Sequence, residues 1–421
     1  MGIRSLMVKF KDILVIDREV SVDLEASKIL ASNESVPVLF ENLNGQRAIG
    51  NLWSTRERIC RALGVDARTL MENMSKAMSC PSDPKMVDDA PFKESRTEDI
   101  NLGDLAIPKY YPVDGGRYLT SGVVIGEFEG VRNLSFHRMK MIGKNRLAIR
   151  LVPRDLFEMH RKAVESGKDL PIAIAIGLCP SILLPAAMTV GYGNDELRIA
   201  NSLRELCLEE PVHVAKAGNG ISVPAYSEVV FEGRITSEMA DEGPFVDITT
   251  TVDYVRKQPV VEIDAMSTRS EPIMQLLLSG GAEHRILMGM PREPVIYSGV
   301  GKVVPGVENV YLTEGSCGWL HGVVSIAKVD DEDGKKAGLA ALDAHKSMKS
   351  VVVVDRDIDI YDPSDVEWAI ATRFQPQRDL TILENCRGSS LDPSAGETTG
   401  KMVIDATIKG SDLTPFTRAK L

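Results

Sequence analysis

The stretch Val131–Asp155, VRNLSFHRMKMIGKNRLAIRLVPRD, gathers an amide (Asn133), a histidine (His137) and several arginines, among them Arg138, Arg150 and Arg154. Arginine presents a planar fork of donors that matches carboxylate and phosphate, so the stretch reads as a site for those groups. The plainer reading is a half-exposed hairpin with solvated cations. Further along, GYGNDELRIANSL contributes Glu196, and EGPFVD contributes two carboxylates, Glu242 and Asp247, five residues apart across a turn. For EGPFVD the alternative is an ordinary β-turn with solvated acids.

Elements of definite kinds must carry these residues. Apolar and polar positions alternate through Leu134 and Phe136 and again through Leu147, Ile149 and Leu151. A Gly143-Lys144-Asn145 turn lies between, so 131–155 reads as a two-stranded hairpin. Alternation also points His137 to the face opposite Arg138, which suits a structural or cofactor-edge role better than that of a base. TSGVVIGEF, PIAIAIGL, VPAYSEVVFEGRIT and EGPFVDITTTVDY read as further strands. RDLFEMHRKAVESGKDL reads as a helix ending at Gly167, with His160 a surface or boundary side chain. DELRIANSLREL is a helix with Asp195 and Glu196 in its first turn, where carboxylates suit the helix dipole.

Before this strand-rich middle, SVPVLFENL is a strand, and two helices begin at Ser54/Thr55 and at Asp66. Residues 80–104 form a polar, proline-bearing linker. After it, KSVVVVDRDIDIYD opens as a buried strand and ends in acids expected to be solvated, leading into the helix VEWAIATRF. SGGAEHRILMGMPRE is expected to be a loop able to close over a substrate, with Glu283 and His284 anchoring it. The fold class is mixed α/β in three parts: an N-terminal α/β domain over 1–98, a central domain over 99–294 and a C-terminal α/β domain over 295–421.

The bulk numbers exclude some functions. At 421 residues the chain supports two or three domains and a large core. Its net charge of −11 disfavours a general nucleic-acid binder. The six cysteines are scattered singly with no CxxC, which fits a reduced, cytoplasmic setting better than disulfides or zinc. No signal peptide is evident at the N-terminus. The apolar run PIAIAIGLCPSILLPAAMTVG carries Gly177, Pro180 and Pro185, so it reads as strand–turn–helix and not as a membrane span.

Taken in order, DLAIPKYYPVDGGRYLTSG, NLSFHRMKMIGKNRLAIRLVPRD, NDELRIA, VPAYSEVVFEG, EGPFVD and IYDPSDVEWAIATRFQPQRD resemble the UbiD-type decarboxylases from about residue 100 to 405. The resemblance implies a central split β-barrel that binds flavin and a C-terminal domain that mediates oligomers, a dimer or a hexamer. It implies prenylated FMN made by a partner flavin prenyltransferase, a divalent metal (manganese, with magnesium the alternative) and potassium near the flavin phosphate. By motif, Asn133 and Glu196 are the metal ligands, and both offer hard oxygen donors. Phe136, His137 and Arg138, then Arg150, Leu151 and Val152, then Arg154, Asp155 and Leu156 are the cofactor-binding positions. Many relatives carry histidine where this chain has Asp155, which leaves open a third oxygen ligand or a different metal shell.

The same resemblance makes Arg138, Glu242 and Asp247 the catalytic trio. Arg138 would clamp the substrate carboxylate, Glu242 would bridge to Arg138, and Asp247 would be the acid–base group that delivers a proton once CO₂ has left. Aspartate is one methylene shorter than the glutamate many relatives have there. The substrate is then an α,β-unsaturated or aromatic acid. The compact N-terminal part and the GGAEHRILMGMPRE segment resemble the branch that converts trans-anhydromevalonate 5-phosphate to isopentenyl phosphate in isoprenoid biosynthesis. Its phosphate would need further cations, with Lys144, Arg146 and Arg285 as candidates. The alternatives are decarboxylation of an aromatic acid such as 4-hydroxybenzoate or a 3-polyprenyl derivative, and a flavin-binding subunit without turnover.

Overall fold

The computed structural model describes residues 2–410, 414–416 and 418. The chain divides into two compact units, Met1–Leu287 and Met288–Leu421.

The first unit is built on a large antiparallel sheet, nine-stranded among the described residues. Leu170–Ile176 is an interior strand, whose continuous apolar run LPIAIAI is buried at all but one position. A strand with neighbours on both edges and cover on both faces needs no polar alternation. It pairs with Val229–Glu242 on one side and with Val123–Phe128 on the other. Arg256–Thr268 extends the sheet beyond Val229–Glu242, followed by Arg146–Ile149, Met139–Met141 and Tyr118–Leu119. Helix Asp155–Glu165 packs Leu156, Met159 and Ala163 into the same core.

The expected hairpin is reorganised. Met139–Met141 and Arg146–Ile149 pair about the Gly143–Asn145 turn, but Val131–Phe136 leaves them and pairs with Val123–Phe128 at the far edge. The break falls at His137 and Arg138, where Arg150 N–H still donates to the Arg138 carbonyl at 3.1 Å. The alternating pattern is continuous across this break, which is why it did not reveal a change of partner.

Several other elements differ from expectation. EGPFVDITTTVDY makes two short paired strands, Phe245–Val246 and Val252–Asp253, in place of one. VPAYSEVVFEGRIT splits into Ser222–Pro224 and Val229–Glu242. His160 is buried and bonds the Thr236 carbonyl at 2.9 Å. SGGAEHRILMGMPRE is not an open loop: Ala282–Gly289 is helical. The linker 80–104 contributes short strands, of which Ser95–Thr97 joins the large sheet. Strand–turn–helix holds for 171–191: the chain turns at Gly177 and continues as helix Pro180–Ala186. Among the described residues no helix is long and apolar enough to cross a membrane. A smaller sheet in this unit sets Ile273–Gln275 beside Gln46–Gly50, so residues far apart in sequence share one sheet. The helices Arg56–Leu63 and Ala67–Ser79 begin, as expected, at Thr55 and Asp66, whose side chains accept from Arg58 and Thr69 N–H.

In the second unit a five-stranded sheet runs Val307–Leu312, His321–Ile326, Ser350–Asp355, Thr399–Ala406, Leu380–Cys386. Strand period divides its core. Val351 and Val353 join one apolar cluster, and Val352 and Val354 join the other. The acids after this strand are not simply solvated, since Asp355 and Asp357 pair with the buried Arg373. Among the described residues none of the six cysteines forms a disulfide.

Candidate active site

The turn EGPFVD leaves the end of Val229–Glu242 and is held by the 110–116 segment. Gly243 has φ +98°, and a Cβ there would come within 2.7 Å of the Tyr254 carbonyl, so glycine is required. Gly115 packs more closely still: its Cβ would lie 2.2 Å from the Gly243 carbonyl. Asp114, buried, accepts from Val246 N–H at 3.1 Å and from Tyr111 N–H at 2.9 Å. Gly115 N–H donates to the Pro244 carbonyl at 2.8 Å, and Tyr118 hydroxyl accepts from Gly243 N–H at 3.0 Å.

This scaffold brings Glu242 and Asp247 to Arg138. Arg138 Nε and Nη2 donate to the two Glu242 oxygens, both at 2.9 Å, and Nη1 donates to Asp247 Oδ2 at 2.7 Å. The guanidinium also lies 4.5 Å from the centre of the Phe245 ring. A third carboxylate, Asp253, takes Nη2 at 2.7 Å and is itself gripped by Arg256 through both of its terminal nitrogens. Asp253 and Arg256 were not among the sequence candidates. Their signal was weak, an acid and an arginine three residues apart in a strand-like run. Burial works against the Arg138 charge, but the three carboxylates outweigh it and its pKa rises. A guanidinium has five N–H groups, and four of them are engaged here, which leaves one on Nη1 for any further ligand.

Asn133 and Glu196 also meet. Asn133 Nδ2 donates to Glu196 Oε1 at 3.0 Å, and Leu134 N–H donates to Oε2 at 2.9 Å. Glu196 opens the helix Glu196–Leu208, capped by Asp195, which in turn pairs with Arg132. Burial pushes the Glu196 carboxyl up to about 8, and the charge of Asp155 adds to the effect. An amide oxygen, the buried Glu196 carboxylate and the half-buried Asp155 carboxylate fit a hard divalent cation, which would relieve that penalty. Among the described residues no cluster of three His, Cys, Asp or Glu side chains stands ready for a metal.

Between these two groups lie the expected cofactor positions. His137 Nε2 bonds Ser135 Oγ at 2.9 Å and Nδ1 bonds the Arg150 carbonyl at 2.9 Å. Loss of water around the ring lowers its pKa to about 4, so it is neutral and a holding group. Arg150 is half-buried and makes no ion pair among the described residues; its Nη1 donates to the Leu151 carbonyl at 3.1 Å. Burial lowers its pKa, which an anionic ligand would reverse. Leu151 and Leu156 sit in the core, while Val152 and Arg154 are exposed and Phe136 and Asp155 are half-buried. An uncompensated guanidinium beside an exposed strand end fits a flavin phosphate.

The remaining candidates separate. Lys144 pairs with Asp99 at the surface, and Arg146 pairs with Glu238. Arg285 donates to Glu34 at 2.7 Å and to the Gly280 carbonyl, while its Nε is buried without a partner. Its neighbour His284 accepts from Gly280 N–H at 3.0 Å through Nδ1, and feels the charges of Asp247 and Arg138. Glu283 is buried and accepts from Trp53 N–H at 3.1 Å.

Three family models of the 3-octaprenyl-4-hydroxybenzoate carboxy-lyase match in order: the N-terminal domain at 5–78, the Rift-related domain at 85–282 and the C-terminal domain at 285–406. An anhydromevalonate phosphate decarboxylase of Methanosarcina mazei is 44% identical over 396 residues, covering 93% of this chain and 92% of its own. The UbiD-class enzyme HmfF from Pelotomaculum thermopropionicum, solved in complex with FMN, superposes with a TM-score of 0.96 at 34% identity, covering 100% of this chain and 97% of its own. An evolved dimeric form of the same enzyme, in complex with prFMN, gives 0.92 at 33% identity, covering 100% and 97%.

Proposed function

The chain belongs to the UbiD family of carboxy-lyases, and on that premise we propose that it decarboxylates trans-anhydromevalonate 5-phosphate to isopentenyl phosphate with prenylated FMN. The observation that carries the reading is Arg138 holding Glu242 and Asp247 in one hydrogen-bonded set, in a chain 44% identical to an enzyme named for that substrate. The proposal includes a flavin prenyltransferase as supplier of the cofactor, a Mn²⁺ or Mg²⁺ ion with K⁺ near the flavin phosphate, a cytoplasmic setting and a homo-oligomer. It also includes the three-part division at 98/99 and 294/295 and a flavin-binding barrel in the central part.

Asn133 and Glu196, with Asp155 beside them, would hold the metal, and Arg150 with the 136–138 and 150–156 segments would hold the flavin. When bound, the prenylated flavin supplies a dipolar carbon centre able to take the electron pair left by CO₂. The chain supplies position and a proton. Arg138 has one N–H free, enough to orient a substrate carboxylate but not to clamp it with two bonds, so its larger task is to fix Asp247. Glu242, fully buried, keeps the guanidinium from turning. Asp247, one-fifth exposed, gives its proton to the carbon that has lost CO₂ and recovers one from solvent. The net change is one C–C bond broken and one C–H bond made. Of the three candidate cations, Arg285 alone adjoins His284, which feels the charges of Asp247 and Arg138, so we assign it to the substrate phosphate.

The test is turnover by protein co-produced with a flavin prenyltransferase and supplied with Mn²⁺, with anhydromevalonate phosphate and 4-hydroxybenzoate offered separately and CO₂ release followed. Release from the phosphorylated acid, with KM raised in Arg285→Ala, supports the reading. Release from the aromatic acid alone overturns the substrate and keeps the reaction class.

A further inference from the structure

The catalytic guanidinium is shared three ways, and the third share has no counterpart in the proposed chemistry. Asp253 lies 115 residues from Arg138 in sequence and bonds its Nη2 at 2.7 Å, the same nitrogen that serves Glu242. Arg256 holds Asp253 from the other side, Nη1 to Oδ2 at 2.5 Å and Nη2 to Oδ1 at 2.8 Å. Asp253 Oδ1 also accepts from Tyr254 N–H at 3.0 Å, and the Arg256 guanidinium lies 4.0 Å from the centre of the Tyr254 ring. The chain Asp247–Arg138–Asp253–Arg256 is thus continuous from the acid to the surface aromatic.

Charges in such a chain compete. Each carboxylate on Arg138 takes part of one positive charge, so a stronger hold by one weakens the hold on the others. Glu242 is fully buried and bidentate, which makes it the least mobile partner. Asp253 and Asp247 are each about one-fifth exposed, at 19% and 20%, and each has one bond to the guanidinium. Asp253 differs in having a second cation of its own. We propose that Asp253 and Arg256 form a positioning pair that sets how tightly Arg138 holds Asp247, and thereby how readily Asp247 keeps and gives up its proton. Arg256 draws Asp253 away from Arg138, which leaves more of the Arg138 charge for Asp247.

The other groups facing the pair are fixed or neutral. Tyr118 lies across Glu242, and burial raises its pKa, so it stays a phenol. Arg150 acts on Arg256, Arg138 and Asp253 through space without bonding any carboxylate. His284 lies beyond Asp247, and burial lowers its pKa. Asp253 itself is held down at about 2, since Arg256 and Arg138 overcome its burial, so it remains an anion throughout the working range.

The inference rests on the decarboxylase reading, and its test is chosen to be separable from it. In flavin-free protein labelled with ¹³C-aspartate, the side-chain signal of Asp247, assigned with Asp247→Asn, is titrated by NMR. Asp253→Asn removes a competitor, so Arg138 holds the Asp247 anion more tightly and the midpoint moves down by about one pH unit. Arg256→Gln returns Asp253 to Arg138, and the midpoint moves up by a similar amount, while Arg256→Lys keeps the charge and stays near wild type. In the loaded enzyme the basic limb of the pH–rate profile moves in the same two directions, with KM changed less than about twofold and kcat lowered roughly tenfold. Shifts in one common direction, no shift, or Arg256→Lys moving as far as Arg256→Gln would overturn the proposal. Failure of the wild type to release CO₂ from any acid would instead overturn the functional reading, while the NMR midpoints still decide this one.

Discussion

At the residue scale, Asp247 and Glu283 are two carboxyls placed for different ends. Asp247 is partly open and bound to a cation through one oxygen. Asp247→Asn keeps the shape and removes the proton, so kcat should fall roughly 10²–10⁴-fold while flavin binding, followed by absorbance, is retained. Unchanged turnover would show that another group is the acid. Glu283 is sealed from water, and burial raises its carboxyl to about 7. The sign follows from linkage. Between the unfolded value near 4.5 and about 7 the folded state binds the extra proton, so this group's cost is absent at low pH and grows as pH rises. Denaturant unfolding across pH 4–8 should therefore show stability falling with pH in that window, and Glu283→Gln should flatten the fall.

At the element scale, the turn that carries Glu242 and Asp247 is held by a separate loop. Asp114 uses both oxygens to tie residue 246 of this turn to Tyr111, and glycines 115 and 243 let the two backbones meet. Asp114→Ala leaves buried N–H groups unpaired and should cost about 1–3 kcal/mol of stability. It should also lower kcat, because a turn free to shift no longer presents Asp247 to Arg138. Asp114→Asn retains one acceptor and should fall between, as thermal unfolding and kinetics on the same samples would show. A kcat untouched by Asp114→Ala would mean that the strands alone position the turn.

At the scale of the whole molecule, the division at Leu287 and Met288 has a physical basis in separate cores. The second unit buries its own two apolar clusters on the two faces of one sheet. A fragment covering 288–421 should fold by itself, with a cooperative transition in circular dichroism. A fragment that stays unfolded would show that its core is insufficient alone. The candidate site, by contrast, draws on residues from Tyr111 to Arg285, all within the first unit.

Local pattern determined much of this protein. The caps at Thr55 and Asp66, the buried strands Leu170–Ile176 and Ser350–Asp355, and the turn at Gly243 follow from residue type and period, which act over a few residues. The family resemblance added which distant residues should converge, and Asn133 does meet Glu196, as Arg138 meets Glu242 and Asp247. Tertiary structure alone decided the rest. Period could not tell that Val131–Phe136 pairs with the preceding strand while Met139–Met141 pairs with the following one, because both partners suit the same alternation. Nor could spacing show that Asp253 reaches a guanidinium 115 residues away, or that Glu283 is sealed beneath Trp53. Hydrogen bonds and burial are properties of position in space, and the meeting of Asp253 with Arg138 is set by how the sheet folds back on itself, although its other partner, Arg256, is three residues along the chain.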